Sequence, residues 1–198
     1  MRYLFIDTET GGLEPTESEV LQLAWILTDK NFVILEKDST FLPMTMPANP
    51  KALAINGLTE QFLKENAGEP LETYRKFCGA LLKADCIVGH HIVFDIGMLE
   101  ADIPRRLAEC ESLTAEDICR TILQKLRTTP TIDTKTAYLD LNPAWKKRPH
   151  PGPYLDELCR FLGVKTTGMT FHRADTDAEA TRLCLEAIKK IYCDSIRN

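Results

Sequence analysis

The chain has 198 residues, of which 44% are hydrophobic and 27% are charged, and its formal net charge is −5 at pH 7. These values are typical of one globular domain and exclude a disordered, collagen-like or coiled-coil chain. The acidic balance argues against a protein that holds nucleic acid on a broad basic surface.

The sequence shows no sign of export or of a membrane partner. Its first residues, MRYLFIDTET, lack the basic start and the cleavage site of a secretory signal, and no apolar run approaches the ~18 residues of a membrane span. The seven cysteines are scattered and form no C-x-x-C pair, which favours reduced thiols over a zinc ribbon or a disulfide framework. We therefore expect a cytoplasmic protein.

Three strands open the predicted fold. An apolar run at residues 2–7 predicts the first strand, and residues 19–28 and 32–35 predict a hairpin. After a turn at Asn56-Gly57, Thr59 is a candidate helix cap.

Helices and strands alternate in the rest of the chain. Residues 70–84 predict a helix with an apolar stripe of Leu71, Tyr74, Phe77, Cys78, Leu81 and Leu82. The later predicted elements are a strand at 86–89, a helix at 92–101, a strand at 131–133, a helix from Lys135, and helices at 154–163 and 176–192. This order predicts one α/β domain over residues 1–198, with a mixed sheet and helices on its faces.

Residues 142–153 form a proline-rich loop with a basic cluster. Lys146, Lys147, Arg148 and His150 make it the densest positive segment of an acidic chain. A solvated linker and a phosphate contact are both consistent with this composition.

The first chemical signal is the pair Asp7 and Glu9 at the end of the first predicted strand. Residues i and i+2 of a strand project from the same face, so the two carboxylates should stand side by side. Such a pair repels itself unless a hard divalent cation binds both side chains. The alternative is two solvated acids at the end of a strand.

The second signal is the segment GHHIVFD, which ends in Asp95 at the start of a helix. Asp95 could serve as a ligand or only as a favourable charge at the helix N-terminus. The adjacent His90 and His91 suggest zinc, but no Cys or acidic residue lies at ligand spacing beside them.

The third signal is the pair His172 and Asp177 before the last helix. Both side chains can face one ligand from the loop and the first helical turn. Alternatively, Asp175 or Thr176 caps the helix and His172 is an exposed loop residue.

Together, the three segments FIDTETGGL, GHHIVFDIGML and HRADTDAEAT resemble the motifs of the DEDDh group of 3′→5′ exonucleases, which includes the epsilon proofreading subunit of bacterial replicative DNA polymerase and RNase T. NGLTEQFL, TIDT and YLDELCRFLGV extend the resemblance over nearly the whole chain. The resemblance implies a single ribonuclease H-like domain, a mixed five-stranded sheet flanked by helices.

The resemblance also implies a set of catalytic residues. Asp7, Glu9, Asp95 and Asp177 would hold two Mg²⁺ ions, for which Mn²⁺ can substitute, and His172 would be the general base. The histidine five residues before the last aspartate fits this group. The sister DEDDy group has a tyrosine four residues before it, where this chain has Arg173.

The implied activity is release of nucleoside 5′-monophosphates from the 3′ end of single-stranded DNA or RNA. Thr10, Leu13, His91 and Phe94 would contact the terminal nucleotide, and Phe94 would stack on its base. Two positions depart from the family pattern, His91 in place of Asn and Asn56 in place of His. Both departures concern substrate contacts.

Two other functions fit the same fold. One is a non-catalytic ribonuclease H-like interaction module, and the other is an RNA-specific exonuclease of the RNase T type. The end of the chain soon after its last helix favours a free-standing enzyme over a dedicated polymerase subunit. A homodimer and association with a DNA polymerase are further expectations.

Overall fold

The structure, a computed structural model, describes residues 1–110, 112–142 and 152–197, with side chains through Asp194. Five strands form one sheet of order β3-β2-β1-β4-β5. The strands are β1 Tyr3–Thr10, β2 Val20–Thr28, β3 Ile34–Phe41, β4 Cys86–Gly89 and β5 Thr131–Asp133. Strands β1, β2 and β3 are antiparallel, whereas β1, β4 and β5 are parallel. The predicted mixed five-stranded sheet is confirmed.

Eight helices are present in the part of the chain that the structure describes. They are α1 Pro50–Asn56, α2 Glu60–Asn66, α3 Pro70–Lys83, α4 Ile92–Ala108, α5 Leu113–Thr128, α6 Thr134–Leu141, α7 Leu155–Leu162 and α8 Ala174–Arg197. None of these helices is long and apolar enough to cross a membrane.

Both faces of the sheet are covered, which explains why all nine residues of β2 are buried. One face packs on α3, α4 and α5, and its core contains Leu4, Ile6 and Trp25. The other face packs on α8 through Tyr3 and Phe5. Successive side chains of β1 therefore point to opposite layers.

Several predicted boundaries were wrong. The first strand continues to Thr10, so Asp7 lies inside it, and the third strand is Ile34–Phe41. Helix α4 continues through Pro104 to Ala108, and α1 and α5 were not predicted. Leu82 is 53% exposed and does not belong to the buried stripe of α3, because that stripe follows Tyr74, Phe77 and Leu81. The basic cluster Lys146, Lys147, Arg148 and His150 lies outside the described residues.

A buried ionic network fixes the C-terminal half of α4. Asp102 is fully buried and accepts hydrogen bonds from the Tyr74 hydroxyl at 2.6 Å and from Nε of Arg106 at 2.7 Å. Arg106 also donates to the carbonyl oxygens of Val20 and Pro43. These bonds compensate the charges that are buried there and join α4 to α3 and to the start of β2.

Candidate active site

The site lies at the edge of the sheet where the parallel strands β1, β4 and β5 end, a common place for ligands in α/β folds. Asp7 and Glu9 are opposite Ala24 and Gln22 of β2. Both acids occupy the face of β1 that packs on α8, as the two-residue period of a strand predicts.

Asp177 joins this pair from the first turn of α8. One carboxylate oxygen each of Asp7, Glu9 and Asp177 lies within 4.8 Å of the other two. The backbone N–H of His172 donates to Oδ2 of Asp177 at 3.0 Å. Oδ1 of Asp177 is buried and has no hydrogen-bond partner in the described part of the chain. An unpartnered buried oxygen of this kind needs a ligand to compensate its burial.

Asp95 approaches from the other layer, at the start of α4. Its Oδ1 accepts two hydrogen bonds from Thr8, at 2.9 Å from the backbone N–H and 2.8 Å from the hydroxyl. Thr8 lies between Asp7 and Glu9 in β1, so it connects the second motif directly to the first. Within the described residues no hydrogen bond to Oδ2 of Asp95 is present, so Oδ2 is the oxygen available to a ligand.

The four carboxylates interact electrostatically. Burial, together with the charges of Asp177 and Asp95, raises the pKa of Glu9 to about 8. Burial also raises the pKa of Asp95 and of Asp177 to about 7, despite hydrogen bonds from Thr8 and His172 that lower them. The pKa of Asp7 lies well above its usual range because of burial and then because of the other three acids.

The residues present fit divalent cations. No lysine or arginine within residues 1–110, 112–142 and 152–194 pairs with any of the four acids. Clustered carboxylate oxygens, one of them buried and without a partner among the described residues, are the donor set that hard cations such as Mg²⁺ prefer.

Two histidines of the site have left-handed backbone conformations. The φ angle is +70° at His91 and +63° at His172. Asn and His are among the residues that adopt this region most often, so His91 is compatible with a position at which the family usually has Asn. The N–H of His91 donates to Oδ1 of Asp133 at the end of β5.

The predicted substrate contacts differ in their accessibility. Leu13 is 78% exposed, His91 is exposed, and Phe94 is partly buried against the core. Thr10 is buried, and its hydroxyl donates to the carbonyl oxygen of Gly12 at 2.6 Å. Asn56 donates from Nδ2 to the carbonyl oxygen of Thr10 at 3.1 Å. The hydrogen bonds of Thr10 and Asn56 therefore hold the backbone at the end of β1.

The sequence analysis missed Gln22, and it considered His90 only as a possible zinc ligand and not in a supporting role. Gln22 accepts a hydrogen bond from Ala174 N–H and donates to Asp175, which fixes the start of α8. His90 donates from Nε2 to the carbonyl oxygen of Pro153, and its Nδ1 lies 3.0 Å from the Thr134 hydroxyl. Burial lowers the pKa of His90 to about 4, so this histidine is neutral.

A cavity of about 640 Å³ opens beside Asp7, Asp177, His91 and His172. Its other lining residues are His90, Lys135, Pro153, Tyr154, Leu155, Asp156 and Phe171. The structure thus brings all three predicted motifs to one cavity, because Asp95 adjoins it through Thr8.

Residues 4–184 match the model of the RNase T family, which is described as an exonuclease. The chain belongs to this exonuclease family. The match confirms the predicted family, that of DEDDh-type 3′→5′ exonucleases, and the predicted enzyme class.

Two curated relatives carry related segments. The chain is 26% identical over 193 residues to the PolC-type DNA polymerase III of Streptococcus thermophilus, covering 96% of this chain and 11% of the polymerase. It is 30% identical over 100 residues to exodeoxyribonuclease I of Buchnera aphidicola, covering 48% of this chain and 21% of that protein. The exonuclease chain thus spans only a minor part of the length of these relatives.

Solved structures of E. coli exonuclease I share the fold. The complex with a dT13 oligonucleotide superposes with a TM-score of 0.76 at 20% identity, covering 99% of this chain and 42% of that one. A zinc-bound complex with single-stranded DNA gives a TM-score of 0.72 at 20% identity, covering 96% of this chain and 40% of that one. These similarities confirm the ribonuclease H-like fold.

Proposed function

We propose that the protein hydrolyses the terminal phosphodiester bond at the 3′ end of single-stranded DNA and releases nucleoside 5′-monophosphates with the help of two Mg²⁺ ions. The observation that carries this proposal is the assembly of four carboxylates with raised pKa values, one of which has a buried oxygen without a partner among the described residues. Such a cluster is electrostatically unfavourable without cations and becomes a phosphate-binding site with them.

The four acids have different positions around this site. Asp7, Glu9 and Asp177 would hold one cation, and Asp7 with the free Oδ2 of Asp95 would hold the other. When bound, two such cations stabilise the charge on the attacking and leaving oxygens of phosphoryl transfer. The chain's own task is to hold the four carboxylates at one edge of the sheet.

His172 supplies the base. Its side chain is exposed and lines the cavity, while its backbone N–H is fixed on Asp177. An imidazole in this position can act as the general base toward the attacking water. The bond to Asp177 keeps the base next to the acids at which the water would be activated.

Single-stranded DNA is favoured as substrate because the E. coli exonuclease I structures contain dT13 and dA16 oligonucleotides. An RNA substrate would instead require contacts near the 2′-hydroxyl. The non-catalytic alternative is disfavoured because all five catalytic side chains are present. Association with a DNA polymerase and a homodimer stay predictions, as do the cytoplasmic location and Mn²⁺ as a substitute cation.

The test is hydrolysis of matched 5′-labelled single-stranded DNA and RNA oligonucleotides with MgCl₂ or with excess EDTA. We expect a ladder of products shortened one nucleotide at a time from the 3′ end of DNA, with Mg²⁺ only. Full activity in EDTA would contradict the role of the carboxylates. Faster hydrolysis of RNA than of DNA would contradict the proposed substrate.

A further inference from the structure

The cavity beside the carboxylates contains a lysine with no role in the proposed chemistry. Lys135 lies in the first turn of α6, where the helix dipole disfavours a positive charge. Within the described ranges it has no ion-pair partner. Asp156 also lines the cavity but pairs with Arg160 at 3.1 Å. The charge of Lys135 is thus available to a ligand.

The stem of Lys135 is positioned by Gly152. This glycine has a φ angle of +89°, and a Cβ atom there would lie 2.6 Å from Cγ and 2.7 Å from Cε of Lys135. Any side chain at residue 152 would therefore displace the lysine. The lysine stem thus lies against the backbone of residue 152.

Tyr154, at the start of α7, breaks a local sequence rule. It occupies the N-cap position, which favours Ser, Thr, Asp or Asn, yet its phenol makes no capping hydrogen bond. Instead, Glu157 accepts a bond from the N–H of Tyr154 at 3.1 Å. The Tyr154 side chain is 63% exposed and lines the same cavity. Violations of local preference without a structural gain occur mainly at functional positions.

One half-buried histidine holds the residue that precedes each of them. His90 contacts the Thr134 hydroxyl, one residue before Lys135, and the Pro153 carbonyl oxygen, one residue before Tyr154. The backbone segments that carry the lysine and the aromatic ring are thus held at the end of β4, next to the start of α4. A positive charge without a partner and an exposed aromatic ring are the two elements that bind single-stranded nucleic acid.

We propose that Lys135 and Tyr154 bind the strand whose 3′ end lies at the carboxylates, Lys135 by pairing with a phosphate and Tyr154 by stacking on a base. This inference rests on the proposed function. In an acidic chain, these residues give the strand one positive contact and one apolar contact in the cavity itself.

The charge is tested with Lys135→Met, which keeps the stem that lies on Gly152. We expect KM for a single-stranded oligonucleotide to rise about tenfold with little change in kcat. The dependence of log KM on log salt should weaken by up to ~0.7, the value for one lost phosphate contact on a single strand. Lys135→Arg should keep the parent values. Lys76→Met, which removes the same charge outside the cavity, should leave both quantities unchanged.

The ring is tested with Tyr154→Ser, which introduces a favoured N-cap residue. The melting temperature should stay the same or rise, while KM should increase roughly 5- to 100-fold through loss of stacking. Tyr154→Phe keeps the ring and should keep the parent KM. A higher KM at an unchanged or higher melting temperature would show that Tyr154 binds substrate and does not merely stabilise the fold.

The outcomes distinguish this inference from the proposed function. If the parent chain hydrolyses oligonucleotides but Lys135→Met and Tyr154→Ser keep its KM, the inference is wrong and the proposed function stands. The inference is equally wrong if these two variants lower only kcat. If the parent hydrolyses neither DNA nor RNA with Mg²⁺, the proposed function is wrong and the inference falls with it.

Discussion

Replacing Glu9 with Gln should stabilise the metal-free protein at alkaline pH. Burial and the charges of Asp177 and Asp95 raise the pKa of Glu9 from 4.5 to about 8 in the folded state. The folded state therefore binds this proton more tightly than the unfolded state does. The contribution of Glu9 to the free energy of unfolding is therefore most favourable below about pH 4.5. It falls as the pH rises to about 8, above which the full cost of the buried charge is present.

The size of the effect follows from the same values. A difference of one unit between the folded and unfolded pKa values corresponds to about 1.4 kcal/mol of stability. Because water still reaches the Glu9 side chain and screens its charge, we expect ionised Glu9 to destabilise the folded state by on the order of 2–4 kcal/mol. For a chain of this length, 1 kcal/mol shifts the melting temperature by ~2–4 °C. In EDTA at pH 9, Glu9→Gln should therefore melt roughly 4–16 °C above the parent, and this difference should disappear near pH 4.5.

The assay is thermal unfolding by circular dichroism between pH 4.5 and 9, in EDTA and during titration with MgCl₂. The parent should gain about 2.7 kcal/mol at a hundredfold excess of cation over its Kd, and Glu9→Gln should gain much less. Glu17→Gln, at an exposed position of the loop after β1, is the matched control and should behave as the parent does. Equal melting temperatures of parent and Glu9→Gln in EDTA at pH 9 would refute this account of the cluster.

Three further predictions concern activity and stability. Asp7→Asn should reduce turnover by more than ~10²-fold with unchanged circular dichroism, because loss of a residue that only supports a metal ligand already costs 10- to 100-fold. Parent-like rates in an oligonucleotide assay would exclude Asp7 as a ligand. His172→Ala should lower kcat by ~10²–10⁴ and leave KM nearly unchanged, and steady-state kinetics that show the parent kcat would remove the base from this position. Arg106→Ala should destabilise the fold by roughly 3–5 kcal/mol in urea unfolding, because Asp102 would keep a buried charge without its main partner. Arg75→Ala, which breaks an exposed ion pair, should change the free energy of unfolding little. An unfolding midpoint for Arg106→Ala equal to that of Arg75→Ala would contradict this role of the network.

The parts of the site that depend on local geometry could be predicted from the sequence. Asp7 and Glu9 share a face because a strand has a two-residue period, and this holds although the strand ends at Thr10 and not at Asp7. Helix α5 also carries a local signal, since its buried residues Ala115, Ile118, Ile122 and Leu126 follow helical spacing. This helix could therefore have been predicted from its sequence, although it was not.

The supporting residues could not be predicted in this way. Gln22 contacts Ala174 across 152 positions of the chain, and His90 contacts Pro153 across 63. Nothing in the immediate neighbourhood of either residue indicates its partner. Tyr154 is intermediate, because its unsuitability as an N-cap is visible in the sequence once the start of the helix is known.

The stability of a repulsive site is explained by bonds that lie outside it. The helix that carries Asp95 is fixed at its far end by the buried pair of Asp102 and Arg106, and α8, which carries Asp177, is fixed at its start by Gln22. Neither contact involves the four carboxylates that are proposed to bind cations. Because each acid is carried by a segment that is fixed elsewhere, the acids can remain close while their pKa values are raised. The carboxylates are thus positioned before a cation binds, and the free energy of binding is not needed to assemble them.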